Sequence, residues 1–150
     1  MRKLIAIILL LASFVVSNAQ EWQTDINKSK EIAKEKNLNI LLLFAGSDWC
    51  APCIKLEKNI WNSDEFKKYA KENLVLLKAD FPKKRKNKLP KEQQEKNDKL
   101  FEKYNTIGGF PFVVILDNTG KILGTNGYKD VSPAEYIAQI NSCIPQKINS

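Results

Sequence analysis

Cys50 and Cys53 are the residues of this 150-residue chain best suited to chemistry, in the run Trp49-Cys50-Ala51-Pro52-Cys53. Two intervening residues bring the sulfurs within reach of one small ring, so the pair can open and close as a disulfide. The pair follows a short apolar run, Asn39 to Ala45, that ends at Gly46. Beyond it, Cys53, Leu56 and Ile60 recur at helical spacing. Cys50 is therefore expected at a helix N-terminus. Free backbone N–H groups and the helix dipole there favour a thiolate, the species that attacks disulfides. Cys53, one turn further in and expected to be the more buried, is placed to attack Cys50 in turn. Pro52 suits the first helical turn, where its missing N–H costs nothing.

Other uses of such a pair fit less well. Haem attachment needs a histidine directly after the second cysteine, and Ile54 stands there. Zinc needs four ligands, whereas the chain has one further cysteine and no histidine. Neither a metal nor a cofactor is called for. A plain structural disulfide stays open on the residues alone, although it would not require a strand-to-helix corner with tryptophan in front. The lack of histidine also removes any imidazole base or imidazole pH switch.

The elements that must position the dithiol follow from apolar periodicity. Trp22, Ile26, Ser29 and Ala33 predict an amphipathic helix ending near Asn37, and Asn39–Ala45 a buried strand. A helix covers Ala51 to about Ile60, and Ser63 caps another that carries Phe66, Tyr69 and Ala70. Leu74–Ala79 is a strand, Lys91–Tyr104 a helix and Phe112–Leu116 a third buried strand. A turn at Asp117–Gly120 leads into Ile122–Tyr128, completing a hairpin. Ser132-Pro133-Ala134-Glu135 is a capping box that opens a last helix to about Ile144. Strand–helix alternation followed by a hairpin and helix predicts an α/β domain, a central mixed sheet flanked by helices.

The first nineteen residues differ from the rest. Arg2 and Lys3 precede an apolar stretch, Leu4–Val16, and Ser17-Asn18-Ala19 supplies small residues before a cut. This is the anatomy of a cleaved secretory signal peptide at 1–19, too short for a comfortable membrane span. The expectation is an exported protein, periplasmic or secreted, with one folded domain at 20–150. Disulfides form and persist in such places. The third cysteine, Cys143, shares core spacing with Tyr136, Ile137 and Ile140 and reads as a buried, inert thiol.

Trp49-Cys50-Ala51-Pro52-Cys53, Phe110-Pro111 ahead of a strand, and the order of elements together resemble the thioredoxin superfamily. The likeness spans essentially the whole chain after the leader. GSDWCAPC, the lysine-rich insertion and GGFPFVVILDNTGK are similar to secreted thioredoxin-like proteins of bacteria. The resemblance implies a thioredoxin-like fold, a redox-active Cys50–Cys53 disulfide, and reversible exchange with protein substrates carrying disulfides or thiols. It implies that Pro111 is a cis-proline facing the dithiol, and that Phe110 offers its backbone to an extended substrate segment. Gly108 and Gly109 would allow close approach, and Trp49 would shield and shape the site. One departure stands out. The family's buried aspartate, six residues before the first cysteine, falls on Phe44, so the proton of Cys53 needs water or another group. Lys78 is the candidate for electrostatic tuning. Asp48 is expected to be a solvated loop acid, opposing thiolate formation only if it points inward.

Ala51-Pro52 lacks the histidine of strong oxidants and is similar to the Gly-Pro pair of reductants. The expected activity is a protein-disulfide reductase or isomerase, fed by a membrane-bound thiol electron donor. The rival readings are an oxidase that donates its disulfide and a non-catalytic binding module. Lys83, Lys84, Arg85, Lys86, Lys88 and Lys91 crowd into nine residues, and the net charge is +7. They read as a solvated surface insertion rather than a docking patch for acidic partners or lipid headgroups. No aromatic is interleaved to stack bases, so nucleic acid is not an expected partner. A monomer is expected.

Overall fold

Unbroken apolar runs become the middle of the sheet. The computed structural model describes residues 20–145, so the expected leader at 1–19 lies outside the described residues. Its elements are β1 (Trp22–Gln23), α1 (Ile26–Lys36), β2 (Asn39–Ala45), α2 (Ala51–Leu56) and α3 (Asp64–Asn73). They continue with β3 (Leu74–Asp80), α4 (Lys91–Tyr104), β4 (Phe112–Leu116), β5 (Ile122–Gly127) and α5 (Pro133–Cys143). The five strands lie in the order β1-β3-β2-β4-β5. β2 runs parallel to β3 and antiparallel to β4, so the sheet is mixed as expected. Among the described residues no helix is long and apolar enough to cross a membrane.

Side chains alternate across a strand, so β2 feeds two separate cores. Ile40, Leu42 and Phe44 pack with Ala33 of α1 and with Leu100 and Tyr104 of α4. Leu41, Leu43 and Ala45 pack with Cys50, Cys53, Leu56, Trp61, Phe66 and Ile140 on the opposite face. Burying a large apolar side chain contributes about 1.5–3 kcal/mol, and six of the seven β2 residues are buried. Strand β2 is thus the structural axis of the fold.

Two expectations are corrected. Trp22 does not begin a helix but sits in a two-residue strand opposite Leu76. The Asp25 carboxylate accepts from the N–H groups of Asn27 (2.8 Å) and Lys28 (3.2 Å), which starts α1 only at Ile26. The helix that follows the cysteines is not regular either. After α2, residues Glu57–Trp61 form a π-helical turn, closed by a bond from the Asn62 N–H to the Glu57 carbonyl. The wider turn lets both Ile60 and Trp61 reach the core.

Sequence signals and structure agree at the caps. Ser63 accepts from the Phe66 N–H, and Ser132 with Glu135 forms the full capping box. Cys143 is half-buried rather than buried, and it rests on Gly124, where an added Cβ would lie 2.6 Å from the Cys143 Cβ. Only glycine lets α5 sit this close to β5.

Candidate active site

The site is built at the end of β2. Gly46 ends the strand, and its carbonyl accepts from the Trp49 and Cys50 N–H groups at 3.2 and 2.9 Å. That tight turn delivers Cys50 to the N-cap of α2, with extended backbone (φ −88°, ψ 100°). The Cys50 sulfur accepts from the Cys53 N–H at 3.3 Å. A free N–H of the first helical turn therefore points at the sulfur, which is the arrangement that stabilises a thiolate. Pro52 lies in that first turn. Cys50 and Cys53 are joined as a disulfide, with Cα atoms 5.2 Å apart. The two residues are equally buried, at 4% and 5% exposure, so the expectation that Cys53 is the more buried is corrected. The turn folds Cys50 under its own loop instead of presenting it as a tip.

Trp49 covers this turn. Its indole lies so close over Gly46 that a side-chain carbon at residue 46 would clash with the ring. The Trp49 Nε1–H donates to the Phe81 carbonyl at 2.7 Å, and its ring meets Phe110 edge-on at 5.5 Å. Phe110 in turn packs against Phe81 and Phe101. The Phe110–Pro111 peptide is cis, and Pro111 is buried just before β4. Phe44 pairs with Phe112, which sets Pro111 beside the end of β2 from which the dithiol loop departs. Gly108 has φ +70°, a left-handed backbone that suits glycine. The structure thus brings Trp49, Cys50, Cys53, Phe110 and Pro111 to one corner.

One sequence assignment changes on β2. Phe44, which counting back from Cys50 puts in the aspartate position, points to the α1–α4 face, away from the dithiol. The residue of β2 that faces the cysteines is Leu43, paired with Lys78 on β3. Strand alternation, not distance along the chain, decides which side chain faces the site. The dithiol face of β2 carries Asn39, Leu41, Leu43 and Ala45, none of them an acid.

Asp48 does not point inward. Its carboxylate accepts from the Lys83 and Lys84 N–H groups (2.9 and 3.0 Å) and from the Asn87 amide (2.9 Å). The Lys83 N–H above all, with help from the Asn87 amide, holds this carboxyl below the usual range. The insertion that sequence patterning treats as a solvated appendage is therefore fastened to the dithiol loop.

Lys78 is not free. Its Nζ lies 2.9 Å from Glu57 Oε2 and above the Trp22 ring. Glu57 stands one turn beyond Cys53, its N–H bonded to the Cys53 carbonyl. Sequence reading passed over Glu57; its i+4 spacing from Cys53 was the available signal.

The helix-capping dithiol beside a buried cis-proline is matched by sequence comparison. Residues 21–118 fit the profile of a family described as thioredoxin-like. The chain belongs to the thioredoxin-like family. Over 124 residues it is 36% identical to the disulfide bond reductase DsbH of Chlamydia pneumoniae, covering 83% of this chain and 72% of that protein. The solved structure of a DsbH oxidoreductase superposes with a TM-score of 0.75, covering 82% of this chain and 83% of its own. A disulphide isomerase from Xylella fastidiosa shares the fold at 20% identity, with a TM-score of 0.59 over 77% of this chain and 88% of that one. This thioredoxin-like protein is a thiol–disulfide oxidoreductase, and it carries a Cys50–Cys53 disulfide.

Proposed function

We propose that this thioredoxin-like protein works as a reductase or isomerase on disulfides of exported proteins. The observation that carries the reading is the Cys50 sulfur at the α2 N-cap, accepting the Cys53 N–H. In the reduced enzyme the Cys50 thiolate attacks one sulfur of a substrate disulfide. A mixed disulfide forms and the other substrate sulfur leaves as a thiolate. Cys53 then loses its proton and attacks the Cys50 sulfur. The second substrate thiol is released, and Cys50–Cys53 closes; two electrons have passed to the substrate.

Pro111 and the backbone of Phe110 align the extended substrate segment, while Trp49 walls the corner. The Lys78–Glu57 pair handles the Cys53 proton, since no acid of β2 faces the dithiol. Export rests on the anatomy of residues 1–19. The direction of electron flow is supported by Ala51-Pro52, which puts no cation between the cysteines, and by the likeness to a protein named as a disulfide bond reductase. A membrane-bound thiol donor returns the electrons, and the enzyme works as a monomer.

The test is a trap. Cys53→Ser should accumulate mixed disulfides between Cys50 and client proteins, which non-reducing gels and mass spectrometry resolve. The dithiol potential, measured against glutathione, should lie at or below about −180 mV, well to the reducing side of strong oxidants near −120 mV. No adduct from reduced Cys53→Ser protein would remove the exchange role, and a potential near the oxidant value would reverse its direction.

A further inference from the structure

Six cations and no acid occupy residues 83–91. A stretch that merely keeps a surface soluble has no need of attachment to a nucleophile's own loop. This one is attached repeatedly. Asp48, two residues before Cys50, takes three donors from Lys83, Lys84 and Asn87. Trp49, the next residue, bonds the Phe81 carbonyl and lies under the Lys83 ammonium, 3.9 Å from its ring centre. Asp80 accepts from the Ser47 N–H and hydroxyl, and the Phe81 N–H donates to the Ala45 carbonyl. The Phe81 ring packs against Phe110. Both ends of the corner, the dithiol loop and the residue before the cis-proline, thus share the root of the insertion.

The charges left over are exposed. Lys83 covers Trp49, and Lys91 meets Glu95 at 3.8 Å. Lys84, Arg85, Lys86 and Lys88 are exposed and in no ion pair among the described residues. Asp48, the acid nearest to them along the dithiol loop, is held by the Lys83 and Lys84 N–H groups and the Asn87 amide, and of the four cations it acts on Lys84. A cluster of one sign at the edge of a cleft raises the local concentration of oppositely charged partners.

We propose that the 83–91 insertion is a docking rim for acidic polypeptide segments, steering disulfides flanked by Asp and Glu onto Cys50. The inference rests on the exchange reading of the dithiol and names its substrate class. An extended protein segment fits the site better than a lipid surface. The insertion carries one large apolar side chain, the half-buried Leu89, and the exposed Trp49 is tied down rather than available for insertion. Such steering acts chiefly on the rate of encounter, and it fades once the Debye length falls well below about 10 Å.

The experiment uses two disulfide-bonded peptides that differ only in acidic or basic residues around the cysteines, together with the neutral 2-hydroxyethyl disulfide. Wild-type protein should reduce the acidic peptide about tenfold faster than the basic one at low ionic strength, with the gap closing as salt is added. A protein carrying Lys84→Glu, Arg85→Glu, Lys86→Glu and Lys88→Glu should invert the preference, and the four glutamine substitutions should abolish it. All three proteins should reduce 2-hydroxyethyl disulfide equally. Equal peptide rates in the wild type, or a preference that survives charge reversal, would overturn the proposal. So would binding to phosphatidylglycerol vesicles that is lost on charge reversal while the peptides are treated alike, since the rim would then belong to a lipid surface. Inertness towards 2-hydroxyethyl disulfide would strike the exchange reading instead. In that case anisotropy of the labelled peptides with the same three proteins still decides whether acidic segments dock.

Discussion

On one side of β2, Ile40, Leu42 and Phe44 face α1 and α4. On the other, Leu41, Leu43 and Ala45 face the helix that holds the cysteines. The first face buries Ser29 and Asn97, and both bond to backbone carbonyls, those of Asp25 and Asp80. The second gathers the dithiol and the Lys78–Glu57 pair. The same strands therefore supply a face that only packs and a face that reacts. The lesson is that chemistry here follows the parity of a strand residue, because a shift by one position moves a side chain across the sheet.

The sharpest way to break this comparison is to mutate each face. Cys50→Ser should lower turnover of a model disulfide by at least about a thousandfold. Its stability should match that of reduced wild type, measured by urea unfolding in both. Phe44→Ala should do the opposite, costing about 3–5 kcal/mol of stability, because it empties a buried site on the packing face. Its exchange rate, read well below the melting temperature, should stay within a few-fold of wild type. A large loss of chemistry in Phe44→Ala with little loss of stability would end the division of labour.

A smaller effect sharpens the reactive face. Lys78→Met removes a cation and should move the apparent pKa of the resolving step up by about one unit. Glu57→Gln removes an anion and should move it down. Stopped-flow release of thiol from a mixed disulfide, monitored across pH, reads both. If neither variant moves the profile while both destabilise the fold, the pair is structural.

The smallest effect belongs to the packing face. Asp25→Ala removes the α1 cap and should cost about 1 kcal/mol. The Lys28 N–H, with Lys96 beside it, lowers the Asp25 pKa in the folded protein. Its contribution is therefore fully present above the unfolded value near 3.8 and lost as pH falls through the folded one. The stability gap between variant and wild type should be full at neutral pH and close in acid.

Much of this was legible in the sequence. Strands β2 and β4 are unbroken apolar runs, and Ser63 and Ser132 announce their helices by side-chain chemistry alone. The dithiol, the tryptophan and the proline are local motifs. What escaped was set by distance in space. A two-residue strand such as β1 has no period to detect, and only its pairing with Leu76 makes it one. Asp48 finds its partners at residues 83–87, across a separation that no local pattern spans. Counting from Cys50 singled out Phe44, whereas the pleat puts Leu43 beneath the cysteines.

The π-helical turn at Glu57–Trp61 fixes a length. Its wider closure makes the chain take one extra residue to come round, so the bulkiest core anchor, Trp61, arrives on the inner side although α2 alone is in phase with the cysteines. Deleting one exposed residue of that turn, such as Asn59, would let the helix wind regularly and keep Trp61 on the inner side, whereas a deletion within α2 that left the wide turn in place would swing it by roughly 100°. The spacing between nucleophile and anchor is thus an integer, and evolution can change it only by rewinding the helix.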